Sequence, residues 1–125
     1  MKTTIALLCI QIVFAFGCAS SGAPVGSSQV TEAEASIRSA ENVGAAGSAA
    51  ELLDRAQKSL AEARRASAQG RNDESRRLLE EAKAYAAAAE ARSNLEKLKK
   101  LAAELQQQAD ELESKARQLQ ERARP

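Results

Sequence analysis

Histidine and tryptophan are missing from this 125-residue sequence. Without imidazole there is no His base, no His-containing triad and little scope for a transition-metal site. Cysteine occurs only as Cys9 and Cys18, both near the start, so the rest of the chain has no disulfide framework, zinc spacing or redox pair. Proline is confined to Pro24 and Pro125, and no glycine follows Gly70. From Asn72 onward nothing interrupts a helix. Phe14 and Phe16 stand in the opening segment, which leaves Tyr85 as the one later aromatic. Much of the apolar content is alanine, which buries little area at ~25 cal/mol per Å². Such a chain suits close helix packing, long helices or self-association rather than a deep core.

Neither charge sign dominates. Lys2 is the one early cation among 18 basic residues, and the remainder balances 17 acidic residues. A nucleic-acid partner is not expected, because that needs clustered Lys and Arg in excess. Gly44-Ala45-Ala46-Gly47 lacks the following Lys and the preceding strand of a phosphate loop. The carboxylate pairs Glu80-Glu81 and Asp110-Glu111 lie on solvated helix faces beside Lys and Arg, with no pocket to shift their protonation. No catalytic residue, metal or cofactor is expected, and the chain reads as a non-enzyme.

What is present starts with a leader. Lys2 is followed by an apolar run over residues 5–16, broken only by Gln11, and then by Ala15-Phe16-Gly17-Cys18. This is the pattern of an export signal, and the run is shorter than the ~20 residues that span a bilayer. The region resembles a bacterial lipobox, with Gly17 directly before Cys18. That resemblance implies lipid on the Cys18 sulfur and acylation of its new amino group, a stable anchor when two or more chains are attached. Ala15 stands where such motifs usually carry Leu, and Phe16 is bulky. The other reading is an ordinary secretory signal, since Ala15 and Gly17 satisfy the small-residue rule, and it leaves a soluble secreted helical protein. With Ala19 rather than Asp after the cysteine, the resemblance implies the outer membrane of a Gram-negative bacterium, facing the periplasm.

The expected organisation is a signal peptide over residues 1–17, a lipidated Cys18 and flexible tether over 18–30, an alanine-rich three-helix unit over 31–93, and a heptad helix over 94–125. Thr31 with Glu34, and Ser48 with Glu51, have the spacing of capping boxes. Val30, Ala33, Ile37 and Ala40 make the first helical stripe, stopped by Gly44 and Gly47. Ala49, Leu52, Leu53, Ala56, Leu60, Ala63 and Ser67 make the second, closed by Gly70. Asn72 is placed as cap of the third helix, with Asp73 and Glu74 matching the dipole. The short connection makes helices two and three an antiparallel hairpin. Ser75, Leu78, Leu79, Ala82, Ala86 and Ala89 face helix two, with Tyr85 at the edge.

The third helix then changes period. Leu95, Leu98, Ala102, Leu105, Ala109, Leu112, Ala116, Leu119 and Ala123 alternate steps of three and four, a heptad seam with Ala at a and Leu at d after Leu95. Either the seam packs on the chain's own domain or it self-associates. Helices one and two are too short to cover it, which favours association, with strand number and direction open. The fold class is all-α: a short helix plus an antiparallel hairpin whose last helix extends into a long coiled-coil-like helix.

Residues 37–93 resemble a family of uncharacterised bacterial lipoproteins, the domain of unknown function numbered 4398. The likeness is carried by Ala33, Ile37, Ala40-Glu41, Gly44-Ala45, Leu52-Leu53, Ala56, Leu60, Ala63, Gly70, Leu78-Leu79, Ala82 and the alanine ladder to Ala91. It implies an exported, helical, envelope-associated protein and supplies no activity. The anchor-plus-heptad plan is similar to the murein lipoprotein family, but the end, Arg122-Ala123-Arg124-Pro125, lacks the Lys that links that family to the wall. The functional expectation is a non-catalytic envelope lipoprotein acting as a structural or interaction element. Its partners would be the membrane through its anchor and a homo-oligomer or another helical envelope protein through its seam. The alternative is a periplasmic module that binds a peptide or peptidoglycan fragment near Tyr85; separately, Arg64-Arg65 and Arg76-Arg77 flank the hairpin turn as contacts for anionic lipid or wall polymer, with most of their field cancelled by Glu62, Asp73, Glu74, Glu80 and Glu81.

Overall fold

Three apolar stripes stepping by three and four close on one another along a common axis. The computed structural model describes residues 23–124. The leader and Cys18 lie outside the described residues. The elements are α1 (Ser27–Asn42), α2 (Ala45–Ser48), α3 (Ala50–Ala68) and α4 (Asn72–Arg122). Among the described residues there is no strand, and the all-α architecture with a long last helix stands.

Side-chain bonds set the directions. Ser75 Oγ donates to the Ala63 carbonyl at 2.8 Å, and Arg55 sits 5.8 Å from the Tyr85 ring centre, so α3 and α4 run antiparallel. Gln57 bonds Glu41 at 2.9 Å and Arg64 bonds Glu34, so α1 and α3 are also antiparallel. Ser39 Oγ meets Glu90 at 2.9 Å and Ser93 Oγ donates to the Val43 carbonyl at 2.6 Å, so α1 and α4 are parallel. The core between them is mostly alanine: Ala33, Ala40, Ala56, Ala63, Ala82, Ala86 and Ala89 are 0–1% exposed. Ile37, Leu53, Leu60 and Leu79 supply most of the buried bulk. Small side chains at the contacts let the helix backbones approach closely.

The helix starts differ from the sequence expectations. Helix α1 begins at Ser27 with Gly26 as N-cap, one turn before Thr31, and Thr31 Oγ1 donates back to the Ser27 carbonyl at 3.0 Å. Val25 and Val30 pack against the core, and that apolar contact draws the turn before Thr31 into the helix at the expense of the tether. Ser48 likewise donates back to the Gly44 carbonyl at 3.2 Å, and Ala49 is the N-cap of α3 without a side-chain bond. There the buried Ala45 and Ala49 favour a short turn, α2, which contains Gly47 rather than ending at it. Arg71, not Asn72, holds the N-cap of α4; Asp73 and Glu74 do occupy its first turn. On α3 the buried stripe continues through Ala66 rather than Ser67.

The stops at Gly44 and Gly70 hold, with φ of 82° and 73°. At the end of α3 the Arg71 amide bonds the Ala66 carbonyl at 2.9 Å and the Gly70 amide bonds the Ser67 carbonyl at 3.0 Å. This is the paired arrangement that closes a helix through a left-handed residue. A Cβ at Gly70 or Gly47 would meet nothing within 4 Å, so only the backbone decides the effect of adding one. Gly70→Ala is expected to destabilise by ~1–2 kcal/mol. Gly47→Ala, at an ordinary φ, is expected to stabilise by ~0.4–1 kcal/mol. Urea unfolding of the two variants should move in opposite directions.

Candidate functional site: the outer face of the long helix

Helix α4 has 51 residues, about 76 Å at 1.5 Å per residue. Its first part belongs to the bundle, through Ser75, Leu79, Ala82, Ala86, Ala89 and Ser93. Burial ends there, and every residue from 97 to 124 is exposed. Among the described residues the helix continues alone. Glu96 with Lys99 at 3.1 Å and Glu113 with Arg117 at 2.5 Å supply ion pairs along it. Gln106 with Asp110 and Gln107 with Glu111 add hydrogen bonds of 3.0 and 3.2 Å. Each such pair is worth only ~0.2–0.5 kcal/mol.

The structure places all the seam residues on this free length. Leu95, Leu98, Leu105, Leu112 and Leu119 retain 51–67% of their surface in solvent, and Ala102, Ala109 and Ala116 are exposed between them. At about 100° per residue, the midpoint of Leu95 and Leu98 lies about 170° around the helix from that of Ala89 and Ser93. The leucines thus lie on the face of α4 opposite to the one that the bundle buries.

The outer stripe also reaches further back than its leucines show. Ala84, Ala88 and Ala91 continue the same three-and-four stepping and are exposed, although α3 and α1 cover the opposite side of the same turns. The stripe therefore runs from Ala84 to Ala123. The signal was present in the alanine ladder, but alanine at every second or third position reads equally well on either face. Leu101, 51% exposed, widens the stripe on one side.

The other candidate residues are dispersed or engaged. Tyr85 is half-buried with the Arg55 guanidinium over its ring. A shallow cleft of about 250 Å³ lies near it, lined by Ser48, Glu51, Leu52, Arg55 and Arg92, but Tyr85 is not in its wall. Tyr85, then Glu51, raises the Arg55 pKa, which leaves a cation that is charged in any case. Arg64 is paired with Glu34, and Arg76 with Asp73 at 2.5 Å and with the Ala23 carbonyl at 3.1 Å. Only part of the cationic field at the hairpin turn is therefore available to a ligand. Glu80 is held by Lys83 at 2.7 Å, and that contact keeps the Lys83 ammonium above its ordinary pKa. Among the described residues, no three His, Cys, Asp or Glu side chains are grouped to hold a metal, and no helix is long and apolar enough to cross a membrane. Cys18 lies outside the described residues.

No match was found among curated proteins or solved structures. The family described as Domain of unknown function (DUF4398) matches over residues 28–105, a span that takes in the whole bundle and the first leucines of the outer stripe. Covering well over half of the sequence, that match makes the chain a member of the DUF4398 family.

Proposed function

We propose that the protein is a non-catalytic cell-envelope lipoprotein that works as a structural or interaction element. In this reading Cys18 carries the lipid that holds it to the outer membrane on the periplasmic side. The bundle is a base that fixes the direction of α4, and the outer stripe of α4 is the surface that other helices dock on. The observation that carries the reading is the row of half-exposed leucines on a helix that nothing among the described residues covers. A contiguous exposed apolar row on a soluble domain marks an interaction surface, and helix-to-helix docking is the mode that a three-and-four stepping serves.

The leader motif supports export and anchoring. The reading also fits the chain's direction: Ala23, bonded to Arg76, lies at the end of the bundle opposite to the one from which residues 94–122 project.

A photo-crosslinking residue placed at Leu105 in living cells should form an adduct with a protein. The same residue at Gln107, on the other side of the helix, should form far less. Equal yields at both positions, or none at Leu105, would remove the docking surface. The intact mass of the membrane-derived chain tests the anchor separately: an unmodified residue 18 would contradict it.

A further inference from the structure

The charges along residues 92–124 are arranged in blocks, and of them Arg92, Lys99, Glu113, Lys115 and Arg122 stand at the positions that flank the outer stripe. Arg92, Lys97, Lys99 and Lys100 are accompanied by one acid, Glu96. Glu104, Asp110, Glu111 and Glu113 follow, with no cation between residues 101 and 114. Lys115, Arg117, Arg122 and Arg124 then stand against Glu121 alone. Two copies set side by side in the same direction and register would place each block against its own sign. Reversing one copy about a point between Ala102 and Leu105 places the first basic block across from the acidic one.

The apolar positions favour the same reversal. In a parallel pair, layers of Leu on Leu alternate with layers of Ala on Ala. In the reversed pair Leu98 meets Ala109, Ala102 meets Leu105, Leu95 meets Leu112, and the exposed Ala88 behind the bundle receives Leu119. Large faces small in three of these four layers, where the side chains interdigitate, and Leu95 on Leu112 makes a wider layer beside the narrow one of Ala91 on Ala116. The whole stripe from Ala84 to Ala123 is then used by both copies. The bundle does not obstruct it, because α1 and α3 lie on the far side of α4.

We propose that the occupant of the outer stripe is a second copy of this chain, lying antiparallel along α4 with Leu95 opposite Leu112 and Arg92 beside Glu113. The proposal rests on the docking-surface reading above and specifies its partner. The interface is two-fold and self-complementary, so it closes at two copies rather than growing into a fibre. The flanking pair Arg92–Glu113 forms twice. The Ala23 ends of the two copies lie at opposite ends of the pair, so chains anchored at Cys18 to one bilayer lie along it rather than standing on it.

The test uses chains recovered from expressing cells in mild detergent, with the wild type, carrying only Cys9 and Cys18, as background. A Leu95→Cys chain mixed with a Leu112→Cys chain should form the mixed disulfide on oxidation, in excess of either self-linked product. Self-linked Leu95→Cys as the main product means a parallel pair and overturns the proposal. In sedimentation equilibrium, Arg92→Glu should weaken association about tenfold, since two ion pairs are lost by symmetry, and adding Glu113→Arg should restore it. A reversal that leaves association unchanged also overturns it. If the chain sediments as a monomer while Leu105 crosslinks in cells to a protein of another mass, the second copy is excluded and the docking surface stands. If Leu105 crosslinks to nothing, both fall.

Discussion

Leu79→Ala is expected to destabilise the bundle by ~2–5 kcal/mol. Leu79 is 1% exposed and is the largest of the fully buried side chains. The core cluster it belongs to is mainly alanine, which has no length with which to refill the space. Helices already in close contact also cannot move together to collapse the cavity. A unit of this size has a total stability of roughly 4–10 kcal/mol at ~0.05–0.15 kcal/mol per residue. The variant should therefore lose a large share of its helical signal at 37 °C and unfold well below the wild type in urea. Leu78→Ala, one position away and only partly buried, should cost clearly less. Equal losses at the two positions would mean that the stripe through Ser75, Leu79, Ala82 and Ala86 does not define the core.

Leu105→Asp combined with Leu112→Asp is expected to convert the associated chain to a monomer in sedimentation without lowering the urea midpoint of the bundle. Both leucines lie more than half in solvent in the single chain, so they contribute nothing to the packing of α1, α3 and the first part of α4. In the paired state each would be buried against a neighbouring helix, and a carboxylate in that seam would have no partner. Burying an unpaired charge costs several kcal/mol, and two sites per chain are changed. The separation of effects is the informative part. Leu79→Ala should unfold the bundle, and the double Asp variant should dissociate it intact.

The elements that could be read from sequence are those written in the spacing of apolar residues. Ala56, Leu60 and Ala63 on α3, and Leu79, Ala82, Ala86 and Ala89 on α4, face the core as their steps of three and four require. Gly44 and Gly70 end their helices because the left-handed turn that follows suits glycine. Helix starts were less legible. Thr31 and Ser48 have capping-box spacing, yet both side chains turn back to a carbonyl four residues earlier inside a helical turn. In each case a neighbouring apolar contact, through Val25 and Val30 or through Ala45 and Ala49, outweighs a cap worth ~1 kcal/mol. Ser75 reads correctly onto the face that meets α3, whereas the buried hydroxyl of Ser93 was hidden for a different reason. With no apolar residue to mark its turn, Ser93 reads as surface until the carbonyl it bonds, that of Val43, is known.

The outer stripe was half legible. Its leucines stand out by contrast with Gln, Glu and Lys. Ala84, Ala88 and Ala91 do not, because the bundle's own stripe on that length of helix is also alanine. Only the covering of one face by α1 and α3 shows that the other remains open.

The measurement that tests the pairing of two copies along the outer stripe most directly is amide hydrogen exchange along α4 as a function of chain concentration. Residues 97–124 have no cover among the described residues, and an unsupported helix is marginal in water. Where the outer stripe is occupied, residues 97–122 should approach the protection of residues 75–93 at high concentration and lose it on dilution, while the bundle is unaffected. Rapid exchange beyond Ser93 at every concentration, or protection there that dilution does not change, would contradict the account.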